Sequence, residues 1–222
     1  MVKEVKIQFL QNSHIEYTVS LDTKLQSAIY EKASSLIDKG STVMDLGCGD
    51  CSFIEKLIKE KNVNPVGIEI SSEGVVKCLS KGITVFQSDI DKGLEDYKDN
   101  QFDYITSIST LQMLYNPELV INEMLRVGKR VVVSFPNYGF WKNRVNMLLG
   151  RTPVYRGTSW FSTPNIHNVT INDFIGFCDN NNIFIERVFY FTPKGKALNE
   201  VSLKNIVSSD ALFQISKKEE NG

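Results

Sequence analysis

Residues 43–53 read VMDLGCGDCSF, and the reading of this stretch decides the fold. An apolar run ending at Leu46 meets two glycines and two cysteines, and a helical pattern, SFIEKLIKEK (52–61), follows at once. Gly47 and Gly49 would let the backbone turn sharply and approach a ligand that a Cβ would block. Cys48 and Cys51 form a Cys-x-x-Cys pair, a spacing that redox and metal motifs also use. The surrounding chain weighs these readings against each other.

Outward from the glycines, strand and helix patterns alternate. Strand-like apolar runs occur at TVMDL (42–46), PVGIEI (65–70), ITVFQSD (83–89), FDYITSIS (102–109), RVVVSFP (130–136), IFIERVFYF (183–191) and DALFQISK (210–217). Between them lie helical stretches: 52–61, SEGVVKCLSKG (72–82), PELVINEMLRVG (117–128) and INDFIGFCDNN (171–181). Pro117 suits a first helical turn, and Gly82 and Gly128 suit helix ends. Continuous Val- and Ile-rich strands are expected where helices cover both faces of a parallel sheet. Residues 41–136 therefore read as a doubly wound α/β core.

Before this core, VKIQF (5–9) and IEYTV (15–19) alternate apolar and polar residues around LQNSH and read as a short β-hairpin. Asp22 stands where it would cap a helix running through 25–39 to Gly40. The division that follows is an amino-terminal extension, 1–20, and one domain, 21–220. An irregular stretch, 137–168, interrupts that domain. It carries Lys142, Arg144, Arg151 and Arg156 with no acid, a formal +4 that leaves −5 for the rest of a chain of net charge −1.

That balance, with so few clustered cations, argues against nucleic acid. No apolar run is long enough to span a bilayer, and the amino end lacks the apolar core of a signal peptide, so a cytoplasmic location is expected. Four cysteines, Cys48, Cys51, Cys78 and Cys178, are too few and too scattered for a disulfide framework.

In a doubly wound sheet, ligands bind beyond the carboxyl ends of the strands where the order reverses. The loop after the first core strand is the default place, with a helix amino end beside it for an anionic group. An acid about 20 residues past the glycines can accept ribose hydroxyls, and Glu69 ends the next strand at that distance. One strand further, Asp89 could accept from an adenine amino group. A redox or metal role for Cys48 and Cys51 leaves Gly47, Glu69 and Asp89 without a purpose. Neither Cys78 nor Cys178 has a sequence neighbour to complete a metal set, so no metal is expected. A dinucleotide fingerprint would want glycine at position 52, which is Ser52.

The run DLGCGD (45–50) instead resembles the first motif of S-adenosylmethionine-dependent methyltransferases with the Rossmann-like fold, although the motif's usual third glycine is Cys51 here. That likeness implies a mostly parallel seven-stranded sheet with an antiparallel last strand. It assigns the cofactor S-adenosylmethionine to Asp45, Gly47, Cys48, Gly49 and Asp50, to Glu69 with Ile70, to Asp89 with Ile90, and to Ser107. Over about residues 41–190 the chain is similar to the MetW family of methionine biosynthesis. The similarity rests on VMDLGCGD, GIEISSEGV, GITVFQSDIDKGL, FDYITSISTLQML, EMLRVGKRVVVSFPNYGFWKNR and TPNIH. This implies a role beside homoserine O-acyltransferase (MetX) and brings no methyl acceptor with it.

Accessory subunit and small-molecule methyltransferase both stay open. Candidates for a base or a positioning group are Gln112, Tyr115, Asn137, Tyr138 and His167, none singled out as catalytic. His167 beside a proline turn fits a structural hydrogen bond better than a base. The 137–168 stretch reads as a docking surface through Tyr138, Trp141, Tyr155 and Trp160, as a lid with Arg151 or Arg156 clamping a carboxylate, or as an excursion that completes the core.

Overall fold

A computed structural model describes residues 23–154, 158–198 and 202–218. The expected hairpin at 1–20 and the Asp22 cap lie outside the described residues, as do Tyr155 and Arg156. Helix α1 (Thr23–Ser35) buries Leu25, Ile29 and Ala33, a stripe at every fourth residue, and leads into β1 (Thr42–Leu46). The pattern then runs α2 (Ser52–Lys61), β2 (Asn64–Glu69), α3 (Ser72–Ser80), β3 (Val85–Gln87) and β4 (Phe102–Ile108). After β4 come α4 (Pro117–Val127), β5 (Gly128–Pro136), α5 (Trp141–Leu148), α6 (Ile171–Asn180) and β6 (Ile183–Phe191). A two-residue strand β7 (Ala197–Leu198), a single-turn α7 (Lys204–Val207) and β8 (Asp210–Lys217) close the described chain.

The strands form one sheet in the order β3-β2-β1-β4-β5-β8-β6-β7. Parallel pairing joins β3 through β5, whereas β8 is antiparallel to both β5 and β6. The doubly wound, mostly parallel sheet with an antiparallel late strand is as the sequence implies. The count is eight rather than seven because β7 adds an edge pair on β6. Strand order reverses between β1 and β4, so the loop after β1 opens at the switch point.

Both faces are covered. On one, Val120, Ile121, Met124 and Leu125 of α4 and Phe174 of α6 pack on Met44, Ile105, Val131 and Phe213. On the other, Leu25 and Ile29 of α1 with Phe53 and Leu57 of α2 pack on Val43, Tyr104, Val132 and Leu212. Each such side chain contributes roughly 1.5–3 kcal/mol by leaving water, which is why these strands are apolar without alternation.

Two elements depart from expectation. The run 83–89 is a strand only over Val85–Gln87, and Asp89 caps a tight turn at Ile90–Lys92. Inside the irregular stretch the chain forms α5, a helix with no buried residue. Asn137, named above as a positioning candidate, is instead a structural knot at 1% exposure. Its Nδ2 donates to the carbonyls of Ser208 (2.7 Å) and Asn205 (3.0 Å), and its Oδ1 accepts from the amides of Gly139 (3.0 Å) and Ile171 (3.2 Å). One amide side chain thus ties the end of β5 to the entries of β8 and α6.

Removing that side chain strands several buried backbone groups, each costing about 1–3 kcal/mol. Asn137→Ala is expected to lower unfolding free energy by about 3 kcal/mol in urea titrations. A loss below about 0.5 kcal/mol would refute the knot.

Candidate cofactor site

The loop after β1 is held by backbone bonds before any side chain acts. The amides of Gly47 and Cys48 both donate to the Ile68 carbonyl at 2.8 and 3.1 Å, folding the loop onto the end of β2. Gly47 sits at φ 71°, and a Cβ there would lie 2.5 Å from Thr110 Cγ2, so the turn and the close approach both require glycine. Gly49, at φ 58°, faces the opposite case, since a Cβ there would meet nothing within 4 Å. The space above Gly49 is open.

Glu69 closes that space from the side. Its Oε2 accepts from the Gly49 amide at 2.7 Å and its Oε1 from the Ser71 amide at 2.8 Å, which fixes the carboxylate at the rim with 8% exposure. Two backbone donors leave lone pairs on both oxygens for further hydroxyl donors. The Ser88 amide donates to the Glu69 carbonyl at 3.1 Å, which brings Asp89 and Ile90 beside it. Asp89 accepts from the Asp91 amide at 3.1 Å. Ile90 is buried under the turn, whereas Ile70 stays 63% exposed next to the acid and offers an apolar surface.

Asp45 lies beneath the loop at 3% exposure, with Oδ1 accepting from Thr106 Oγ1 at 2.5 Å. Burial, and secondarily the Glu69 charge, push its carboxyl up to about 7 against the opposing Thr106 hydrogen bond. Asp50 turns the other way. Its carboxylate accepts from the Ser52 amide (3.0 Å) and hydroxyl (2.8 Å), serving the start of α2. Ser107 is fully buried on β4, and its Oγ has no hydrogen-bond partner among the described residues.

The donors and surfaces of this rim fit an adenosyl cofactor. The open side of Gly49 leaves room for a methionyl chain, Glu69 for ribose hydroxyls, Ile70 for a base face and Asp89 for an exocyclic amine. A cavity of about 940 Å³ lies at the other end of the sheet. There Arg130 sits between Asp38 (3.6 Å) and Glu186 (3.5 Å), and Lys129 pairs with Asp103 at 2.8 Å. It is a charge-paired recess at the wrong end of the strands for a ligand of this fold.

Residues 28–215 match the family model described as "Methionine biosynthesis protein MetW". The chain belongs to the MetW family. A curated relative, the bifunctional methionine biosynthesis protein MetXA/MetW of Rhodopirellula baltica, is 30% identical over 202 residues. The match takes in 85% of this chain and 32% of that protein, so the chain spans about a third of its length. Among solved structures, an S-adenosylmethionine-dependent methyltransferase from Mesorhizobium loti superposes with TM-score 0.64 at 17% identity, covering 86% of this chain and 99% of that one. A possible histamine N-methyltransferase from Thermotoga maritima gives 0.63 at 14%, covering 87% and 90%. The fold of this MetW-family chain is therefore the methyltransferase fold. No helix among the described residues is long and apolar enough to cross a membrane.

The structure corrects the reading of the cysteines. Where no disulfide framework was expected, Cys78, which has no cysteine adjacent in sequence, reaches the loop from α3 and is disulfide-bonded to Cys51. Cys48 is a free thiol beside that bond, packed with Ile54 and Val85, so its side chain lies under the loop. The sequence predicts helix α1 but not its place beside the loop, where Thr23, Gln26, Ser27 and Tyr30 line a recess of about 260 Å³ with Asp50, Ser52 and Lys56. Its helical stripe shows which face is buried but not which end meets the loop.

Tyr138 is buried rather than part of an exposed aromatic surface, and its hydroxyl accepts from Asn165 Nδ2 at 2.7 Å. Gln112 is buried, and its carbonyl accepts the amides of Ile166 (2.9 Å) and His167 (3.0 Å). Tyr115 is exposed.

A carboxyl with a raised folded pKa favours the fold while protonated, and loses that contribution as pH climbs from its unfolded value near 3.8 through about 7. Asp45→Asn removes this loss. Relative to wild type, the Asn form should gain about 2–4 kcal/mol between pH 4 and pH 8, read from urea unfolding across that range. A difference independent of pH would mean that Asp45 ionises normally.

Proposed function

We propose that the protein binds S-adenosylmethionine on the rim formed by Gly49, Glu69, Ile70 and Asp89, and through that state supports or regulates a homoserine O-acyltransferase. The observation that carries the first half is the Glu69 carboxylate, anchored by the Gly49 amide beside open space. Gly47 and Cys48 fix the loop, Asp45 lies beneath it as a buried acid, and Ile90 backs the turn that Asp89 caps. When bound, the cofactor supplies a methyl group on a sulfonium. The chain's own groups hold and orient it.

The second half draws on the fused relative, whose name couples MetXA to MetW in one polypeptide. It also draws on an exposed apolar arm in the former irregular stretch. Leu148 is 87% exposed and Trp160 75%, with Met147, Leu149 and Phe161 also out of the core. Exposed aromatics of this kind are interface hot-spot material. The reading assigns this arm to the acyltransferase and places the protein in the cytoplasm.

A second reading, methyl transfer to a small molecule, is favoured by one observation. Near the ends of β4 and β5, Gln112 Oε1, Asn165 Oδ1 and His167 Nε2 are buried polar atoms without a hydrogen-bond partner among the described residues, the two amide oxygens being acceptors. They would suit a ligand rich in N–H or O–H donors.

Calorimetric titration with S-adenosylhomocysteine should give micromolar binding, about −8 kcal/mol, weakened at least tenfold in Glu69→Ala and in Asp89→Ala. Undetectable binding by wild type would sink the cofactor half. Leu148→Glu with Trp160→Ala should abolish co-elution with the acyltransferase while leaving cofactor affinity intact. Unchanged co-elution would remove the arm from the docking surface.

A further inference from the structure

We infer that the glycine loop carries a reversible thiol–disulfide site, built from Cys51 and Cys78 beside the free Cys48, that exchanges with dithiols and disulfides and sets how firmly the loop holds its ligand. The coupling to ligand rests on the cofactor reading above. The thiol site itself does not.

Three sulfurs meet at one point under the loop. Cys51 and Cys78, 27 residues apart in sequence and 5.3 Å apart at Cα, are bonded. Cys48 Sγ lies 3.5 Å from Cys51 Sγ and 3.9 Å from Cys78 Sγ. Burial, with Asp45 and Glu69 close by, pushes the Cys48 thiol up, so it rests protonated beside the Cys51–Cys78 bond.

The location couples this chemistry to the ligand rim. Cys51 stands just before α2 at φ 59° and makes no side-chain cap, so its covalent link to α3 fixes a turn that few side chains adopt. Cys78 Sγ lies 3.4 Å from the carbonyl of Gly49, the residue whose amide Glu69 holds. A Cβ on Gly74 of α3 would lie 2.8 Å from that same carbonyl, so helix and loop are already in contact. Breaking the bond frees the loop from α3 next to Glu69, whose Cγ a Cβ on Gly74 would also approach to 2.8 Å.

The exchange balances as follows. When the loop opens, one thiolate of a dithiol attacks Cys51 Sγ, and Cys78 leaves and takes up a proton. The dithiol's second thiolate then attacks its own sulfur in the mixed disulfide, closes the dithiol's disulfide and frees Cys51, which takes up the second proton. Two electrons and two protons pass from the dithiol to Cys51 and Cys78, and oxidation by a disulfide runs the same steps backwards.

The test equilibrates the full chain with oxidised or reduced dithiothreitol, then alkylates it in denaturant for mass measurement. Of the four cysteines, two (Cys48 and Cys178) should label in the oxidised form and all four in the reduced form. Titrating S-adenosylhomocysteine should give a Kd at least threefold weaker for the reduced form. Cys51→Gly, which restores a residue at ease with φ 59°, and Cys78→Ser should each bind equally in both buffers.

Four labelled thiols under oxidising buffer, or one zinc per chain that protects Cys48, Cys51 and Cys78, would overturn the disulfide site. Equal wild-type affinity in both buffers would overturn the coupling. Labelling that alternates between two and four with no ligand bound by either form would keep the thiol site and remove the cofactor reading.

Discussion

The hydrogen bond from the Gly49 amide to Glu69 is the contact on which the rest of the rim depends. β1 and β2 run parallel and in register from Thr42↔Asn64 to Leu46↔Ile68, so their carboxyl ends finish level. Beyond that point the ladder can no longer satisfy backbone amides, and buried amides need partners. The Ile68 carbonyl takes two of them, and the Glu69 carboxylate takes Gly49 and Ser71. A charged acceptor on backbone donors is among the stronger hydrogen bonds available. The acid therefore supports the loop and stands at its open rim, so altering it alters the loop as well.

How much of this was legible in the sequence follows from where burial leaves a periodic trace. β5 is buried continuously over Val131–Pro136, and its apolar run announces it. The helices α4 and α6 repeat their apolar residues at helical spacing for the same reason. α5 buries nothing, so its sequence carries no stripe, and it reads as irregular. β7 is two residues long, too short for any alternation. The run 83–89 was read too long because Gln87 and Asp89 are polar for different reasons, one at a strand end and one capping a turn.

In the candidate site, the legible part is what lies on consecutive strand ends. Glu69 follows Gly49 by one strand-helix-strand unit, and that spacing is set by the fold itself. What was not legible is tertiary. Cys78 lies 27 residues from Cys51 and meets it only because α3 packs on α2's side of the loop, with Ile83 and Val85 closing the same apolar cluster. Asn137 reads as a polar residue in a functional-looking motif, yet its four bonds all go to backbone. No local pattern separates an amide that holds loops from one that holds a ligand.

The electrostatics of the rim point the same way as its shape. Asp45 and Glu69 are close enough for the charge of one to raise the carboxyl pKa of the other, and burial already holds Asp45 near 7. The lysine closest to the loop, Lys81, is turned toward the Asp50 carbonyl (2.7 Å) and Glu55 (3.3 Å), so it does not neutralise the pair. Two acids with no cation paired to either among the described residues disfavour an anion at this loop, because a further negative charge would add to the repulsion. A ligand carrying positive charge would favour the carboxylate form of Asp45 and expel its proton. By linkage, such a ligand then binds more tightly as pH rises toward and past 7, while the empty protein grows less stable over the same interval. Positive charge brought to the rim would thus offset the destabilisation that an ionised Asp45 imposes on the fold.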